Sequence, residues 1–264
     1  FRTKNKLRHY LVEQNWEEEK ALFYISKFNS DYWKLFDFGT IIKHAVIFNE
    51  MIINKNKLNL KIFNEKTLDA TELIIIAPDH HGLFSKIAGI VSSFGFEIKS
   101  AKIITRADGY AIDTFLIQDK NKKYLTEKRI QDRFLDSLKH GLEGNYNFEE
   151  EIKNRWREIP LRFRQMKAPT RVMLDNTTSS FFTIIEINCK NAPGVLYMIT
   201  KSIADLGMQI NTAFISTYGN RVVDIFYVKD LFGQKLNNKN KILKIKKVLL
   251  KTLSEIDRAN EAIN

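Results

Sequence analysis

Hydrophobic and polar positions along the chain alternate between two rhythms. Glu72–Ala77 and Thr183–Asn188 are short apolar runs of strand character, each ending at a loop. The next segments place Leu83, Ile87, Val91 and Phe94, then Val195, Ile199, Ile203 and Leu206, at steps of three and four residues. That spacing predicts two amphipathic helices, each with one apolar face. Gly95 and Gly207 follow the last apolar residue, where a left-handed terminator is wanted. Beyond them, Phe96–Thr105 with Ala111–Gln118, and Met208–Thr217 with Val222–Lys229, read as strand pairs joined by tight turns. Further helices are predicted around Thr126–Leu142 and Asn240–Leu253.

These two series are one series written twice. Shifting the chain by 112 places lays Gly82 on Gly194, Ile87 on Ile199, Gly95 on Gly207 and Ala101 on Ala213. After a one-residue deletion at the hairpin turn the offset is 111, which aligns Asp113 with Asp224, Phe115 with Phe226 and Asp119 with Asp230. Strand, helix, strand, strand, helix, strand is the ferredoxin-like split plan. Thr170–Asp175 is the expected closing strand of the first copy, and Asn176–Ser180 the link to the second. The second copy shows no closing strand, because 241–264 reads as helix to its end. The expected organisation is therefore α+β: a helical segment at 1–66, a first module at 71–175 with an insertion at about 143–167, and a second module at 181–264. In the first segment, Leu22, Ile25 and Phe28, and Ile41, Ile42, Ala45, Val46 and Phe48, have helical spacing, whereas Asn54–Lys61 reads as a turn or exposed edge.

Composition narrows the function. With 264 residues and 44% hydrophobic positions the chain has enough apolar material for about two domains. The single cysteine, Cys189, excludes a disulfide scaffold and reads as a buried small hydrophobe. No apolar run is long enough to span a membrane, so a cytoplasmic protein without a membrane partner is expected. The first residue is Phe1 rather than Met, which reads as a processed product or a piece of a longer chain. The net charge of +11 is spread as +4 over 1–66, +2 over 67–175 and +5 over 176–264. Basic clusters at Arg155–Arg171 and Lys239–Lys251 read as solvated faces rather than a phosphate-binding patch, which argues against a nucleic-acid partner.

The chemistry is expected where the first strand of each copy meets its helix. The two junctions read Ala77-Pro78-Asp79-His80-His81-Gly82-Leu83 and Cys189-Lys190-Asn191-Ala192-Pro193-Gly194-Val195. A glycine at a helix start admits a ligand close to the backbone, and free N–H groups there favour a carboxylate. Asp79 and Asn191, three residues before the glycines, either cap the helices or hold a ligand's amino group.

Doubled in this way, the arrangement resembles the ACT family of amino-acid-sensing modules, of whose Asp-Arg-Pro-Gly-Leu-Leu loop both junctions are variants. His80 and His81 stand where that pattern has Arg-Pro, and Ala192 where it has Arg. The tandem resembles the C-terminal part of the bifunctional PII uridylyltransferase/uridylyl-removing enzymes. The resemblance lies in Ala111–Asp119, Gly207–Asn211, Ala213–Gly219 and Val223–Gly233, with Tyr32-Trp33 and His44-Ala45 similar to the preceding helical segment. It implies a regulatory region that senses L-glutamine and controls uridylylation and deuridylylation of the PII protein. It also implies ligand positions at Asn191, Pro193, Gly194, Val195, Leu196 and Gln209 in the second copy, and at Asp79, His81, Gly82, Leu83 and Glu97 in the first. Modules of this family pair, within a chain or as a homodimer.

Catalytic equipment is not expected here. The chain has no Gly-Ser, Asp-x-Asp or His-Asp sequence, the marks of a nucleotidyltransferase site and of a metal-dependent hydrolase. No cofactor is expected in this chain, and Mg2+ only for the catalytic part of such an enzyme. The strand order also suits a tandem RNA-binding protein, which would need aromatics projecting from the strands carrying Phe115, Phe226 and Tyr227. A third option is an ACT-type regulator of another enzyme.

Overall fold

In the computed structural model, residues 2–144, 147–158 and 168–262 are described, without side chains at 158 and 256–262. The helices are α1 (Arg2–Glu13), α2 (Glu18–Ser26), α3 (Tyr32–Leu35), α4 (Phe38–Ile53), α5 (Leu83–Ser93), α6 (Lys128–Leu142), α7 (Phe148–Glu158), α8 (Val195–Asp205) and α9 (Lys239–Ala262). The strands are β1 (Asn59–Glu65), β2 (Ala70–Pro78), β3 (Glu97–Thr105), β4 (Tyr110–Gln118), β5 (Arg171–Asp175), β6 (Thr183–Lys190), β7 (Met208–Tyr218) and β8 (Arg221–Asp230). Their order in the sheet is β1-β2-β4-β3-β7-β8-β6-β5. This mixed α+β architecture matches the ferredoxin-like modules expected from the repeat.

One expectation is overturned. Arg171–Asp175 does not close the first copy but pairs antiparallel with β6 of the second, Arg171 opposite Asn188 and Val172 opposite Ile187. Each copy thus takes its fourth strand from the chain that precedes it, β1 in one case and β5 in the other. The missing last strand of the second copy is thereby accounted for: the place is filled, and the C-terminal residues are free to be helix. Asn54–Lys61 is likewise only partly a turn, since β1 begins at Asn59.

The chain divides into two compact units. The first comprises Phe1–Phe63, Leu73–Asp79 and Lys102–Thr114. Its core is aromatic: Tyr24, Phe28, Tyr32 and Phe36 pack with Leu7, Leu11 and Met51, and with Ile74, Ile76, Ile104 and Ile112 from the strands. Burying such side chains contributes about 1.5–3 kcal/mol each relative to exposure. The Arg106 side chain is fully buried, pairs with Asp108, and lies 4.0 Å from the Phe48 ring centroid and 4.6 Å from that of Tyr24. A desolvated guanidinium is tolerated there because a carboxylate and aromatic faces replace its water.

The second unit comprises Asn64–Glu72, His80–Ala101 and Phe115–Asn264. Within it α5 is buried around nearly its whole circumference, at Leu83, Phe84, Ile87, Ala88, Gly89, Ile90 and Val91. The single apolar face read from the sequence is too narrow, because α6, α7 and α8 all pack on this helix. The helix α7 lies in the segment read as an insertion of unknown shape; 145–146 and 159–167 of that segment lie outside the described residues.

Candidate functional site

Both strand-to-helix loops are built alike. Gly82 (φ 78°, ψ 8°) and Gly194 (φ 74°, ψ 3°) stand at the N-caps of α5 and α8 in the left-handed conformation, which is reason enough for glycine at both points. Neither helix has a side-chain cap. The capping alternative for Asp79 and Asn191 is therefore not what the structure holds. Their backbone amides instead donate to the following hairpin turn, Asp79 to Gly109 O at 2.8 Å and Asn191 to Asn220 O at 2.7 Å. The Asp79 carboxylate also accepts the Thr105 hydroxyl at 2.5 Å.

Surroundings distinguish the loops. His81 is exposed, and a Cβ added at Gly82 would meet nothing closer than the Ser85 hydroxyl at 3.4 Å. In the second copy Gly194 is buried, and the same added Cβ would lie 2.7 Å from Ile152 of α7. The Gly194 N–H donates to the Ser92 hydroxyl at 2.7 Å, and the Val195 N–H to Ala192 O at 3.1 Å. A ligand carboxylate arriving at Gly194 competes with Ser92.

Beside this second loop lies a cavity of about 70 Å³, room for about two waters. Asn191, Gly194, Val195 and Leu196 line one side, and Ala88, Val91 and Ser92 of α5 another. The start of β3 brings Glu97 and Ile98; β7 and β8 bring Ile215, Thr217, Val222 and Asp224. Of the residues expected to meet ligand, the cavity thus collects Asn191, Gly194, Val195 and Leu196 from the second copy and Glu97 from the first. Pro193 and Gln209 do not line it, and Gln209 is exposed. Asp79, His81, Gly82 and Leu83 lie elsewhere. Asn191 and Glu97, ligand positions expected in different copies, thus line the same cavity. Glu97 itself is ion-paired with Lys122.

One lining residue carries a feature the motif reading missed. Asp224 is 1% exposed, and neither carboxylate oxygen has a hydrogen-bond partner. Burial pushes its carboxyl up to about 7. The Ser216 amide and the Lys99 ammonium pull it back toward ionisation, yet neither reaches hydrogen-bonding geometry. Its repeat mate Asp113 is equally buried and unpartnered, and burial together with the Asp79 charge raises it well above the usual carboxylate range. Strand alternation held the signal. Val222, Asp224, Phe226 and Val228 share one buried face of β8, so an acid sits at a core position in both copies.

The strands that an RNA-binding protein would use present no stacking platform at Phe115 or Phe226, both 0% exposed. Cys189 is buried. Among the described residues no helix is long and apolar enough to cross a membrane.

Comparison with known proteins follows the same lines. Residues 178–255 match the family model of the ACR family N-terminal ACT domain. The bifunctional uridylyltransferase/uridylyl-removing enzyme of Rhodospirillum rubrum is 33% identical over 235 residues, 89% of this chain and 25% of that enzyme. The enzyme of the same name from Cereibacter sphaeroides is 32% identical over 254 residues, 96% of this chain and 26% of the other. The chain thus spans about a quarter of the length of the relatives it matches. Among solved structures, aspartate kinase from Synechocystis is similar with a TM-score of 0.40 at 13% identity, covering 70% of this chain and 27% of that one.

Proposed function

We propose, on the premise that this chain is homologous along most of its length to a quarter-length segment of the bifunctional uridylyltransferase/uridylyl-removing enzymes and carries an ACT domain at 178–255, that it is an amino-acid-sensing regulatory region. It binds L-glutamine and thereby sets the balance between uridylylation and deuridylylation of the PII protein, with the chemistry performed outside these residues. The observation that carries the reading is the cavity beside Gly194. Apolar walls from both copies surround a few polar groups, Ser92, Asn191, Thr217, Glu97 and Asp224, the mixture of lining that small-molecule sites have. An amino acid is larger than the 70 Å³ and enters as these walls move apart. An occupant there touches α5, β3 and the α8 loop together. Its binding energy therefore biases how these elements pack, which is what a regulatory ligand must do.

Isothermal titration of the folded chain with L-glutamine, beside L-glutamate and the other amino acids, tests this. Saturable binding of L-glutamine at or below millimolar concentration, at least tenfold tighter than L-glutamate, is expected. Absence of heat with every amino acid overturns it.

A further inference from the structure

Asp224 is costly where it stands. A carboxyl 99% removed from solvent with both oxygens unpartnered forfeits hydrogen bonds that water would supply. Packing offers no compensation for it: its strand neighbours are Ile187 of β6 and Ile215 of β7. What sets it apart from an ordinary buried acid is that it lines a cavity whose other walls near β7 and β8 are Ile215, Val222 and Thr217. A group entering that space meets two unused acceptors and a largely apolar surround. An ammonium group with a short aliphatic body has the matching chemistry, three donors and a positive charge.

We propose that Asp224 is the recognition acid of this site, its carboxylate pairing with the α-ammonium group of a bound small amino acid. The inference rests on the amino-acid reading above and adds the residue that selects for an amine. Only the ionised carboxylate makes the pair, so binding drives off the proton that the empty site holds. The charges that face Asp224 are few. Lys99 of β3 favours its ionisation, and Glu97 of the same strand, already paired with Lys122, is the other acid on the cavity wall. Among the described residues no other ionisable side chain lines the cavity.

The test is calorimetric titration of the whole chain with L-glutamine at pH 6 and pH 8, in buffers of different ionisation heat, for the wild type and Asp224→Asn. Affinity of the wild type is expected to rise about tenfold from pH 6 to pH 8 as the carboxyl ionises, with proton release near pH 7. Asp224→Asn, which keeps the shape and loses the charge, is expected to bind at least tenfold more weakly at pH 8 and without pH dependence. Glutaramate, glutamine with hydrogen in place of the α-amino group, is expected not to bind the wild type. Equal binding by Asp224→Asn, or pH-independent affinity without proton release, overturns the assignment while leaving the amino-acid reading standing. Failure of every amino acid to bind the wild type overturns both. Should Asp224→Asn not fold, proton release by the wild type alone decides.

Discussion

At the residue scale, His44 shows what burial does when every polar atom is satisfied. Its ring is 0% exposed, with the Tyr32 hydroxyl 3.0 Å from Nδ1 and the Thr114 hydroxyl 2.9 Å from Nε2. Burial holds its pKa down at about 3, against an ordinary value of 6.5. The unfolded chain therefore takes up a proton below pH 6.5 that the folded one refuses. The stability tied to His44 is complete above pH 6.5 and is lost as pH falls toward 3. A loss of about 2–3 kcal/mol by pH 4.5 is expected from this group. Thermal unfolding across pH 4.5–7.5 checks it: His44→Gln is expected to be less stable at neutral pH but to show a shallower acid limb. Parallel profiles for the two proteins would contradict this.

Asp224 is the opposite case, an acid left without partners. The loops drew attention because glycine, asparagine and proline are conspicuous between apolar runs. The acid on a core-facing strand position was just as legible, through alternation in β8 and its repeat mate in β4. Its burial depends on which face of the strand turns inward, a fact that only packing against the rest of the unit settles.

At the element scale, α7 decides how the two loops differ. Phe148 packs where a Cβ on Gly89 would lie only 2.3 Å from its ring, and Ile152 covers Gly194. Arg155 donates from Nε to Ser93 O at 2.5 Å, and the Tyr197 hydroxyl donates to Glu149 at 2.5 Å. One short helix thus ties α5 to the start of α8. Gly89→Ala is expected to push Phe148 off its seat and cost about 1–3 kcal/mol, the usual penalty for overfilling a packed contact. Faster amide exchange across Phe148–Arg157 should accompany that loss in exchange mass spectrometry. A variant with unchanged exchange there would show that α7 does not depend on this contact. The helix was not legible beforehand because its apolar stripe is only Phe148, Ile152 and Trp156 amid glutamates and arginines. Such a stripe does not reveal what it packs on until the glycine gaps opposite it are known.

At the scale of the whole molecule, the duplication was plain in the sequence while the ownership of strands was not. Val172 alternates with exposed positions in β5, a pattern that suits an edge strand in either copy. What assigns it to the second copy is the antiparallel ladder with β6, a backbone matter that side-chain periodicity cannot encode. The same holds for the cavity. Its lining mixes residues from sequence-distant segments, and only the packing of α5 against α8 brings Glu97 and Asn191 to one cavity. Methyl-labelled NMR of the folded chain, titrated with L-glutamine, locates the occupant most directly. Shifts concentrated on Ala88, Val91, Val195, Ile215 and Val222 are expected, with the Leu83 methyls beside the open loop unmoved. Shifts confined to Leu83 and its neighbours, or none at saturating glutamine, would contradict a ligand site beside Gly194.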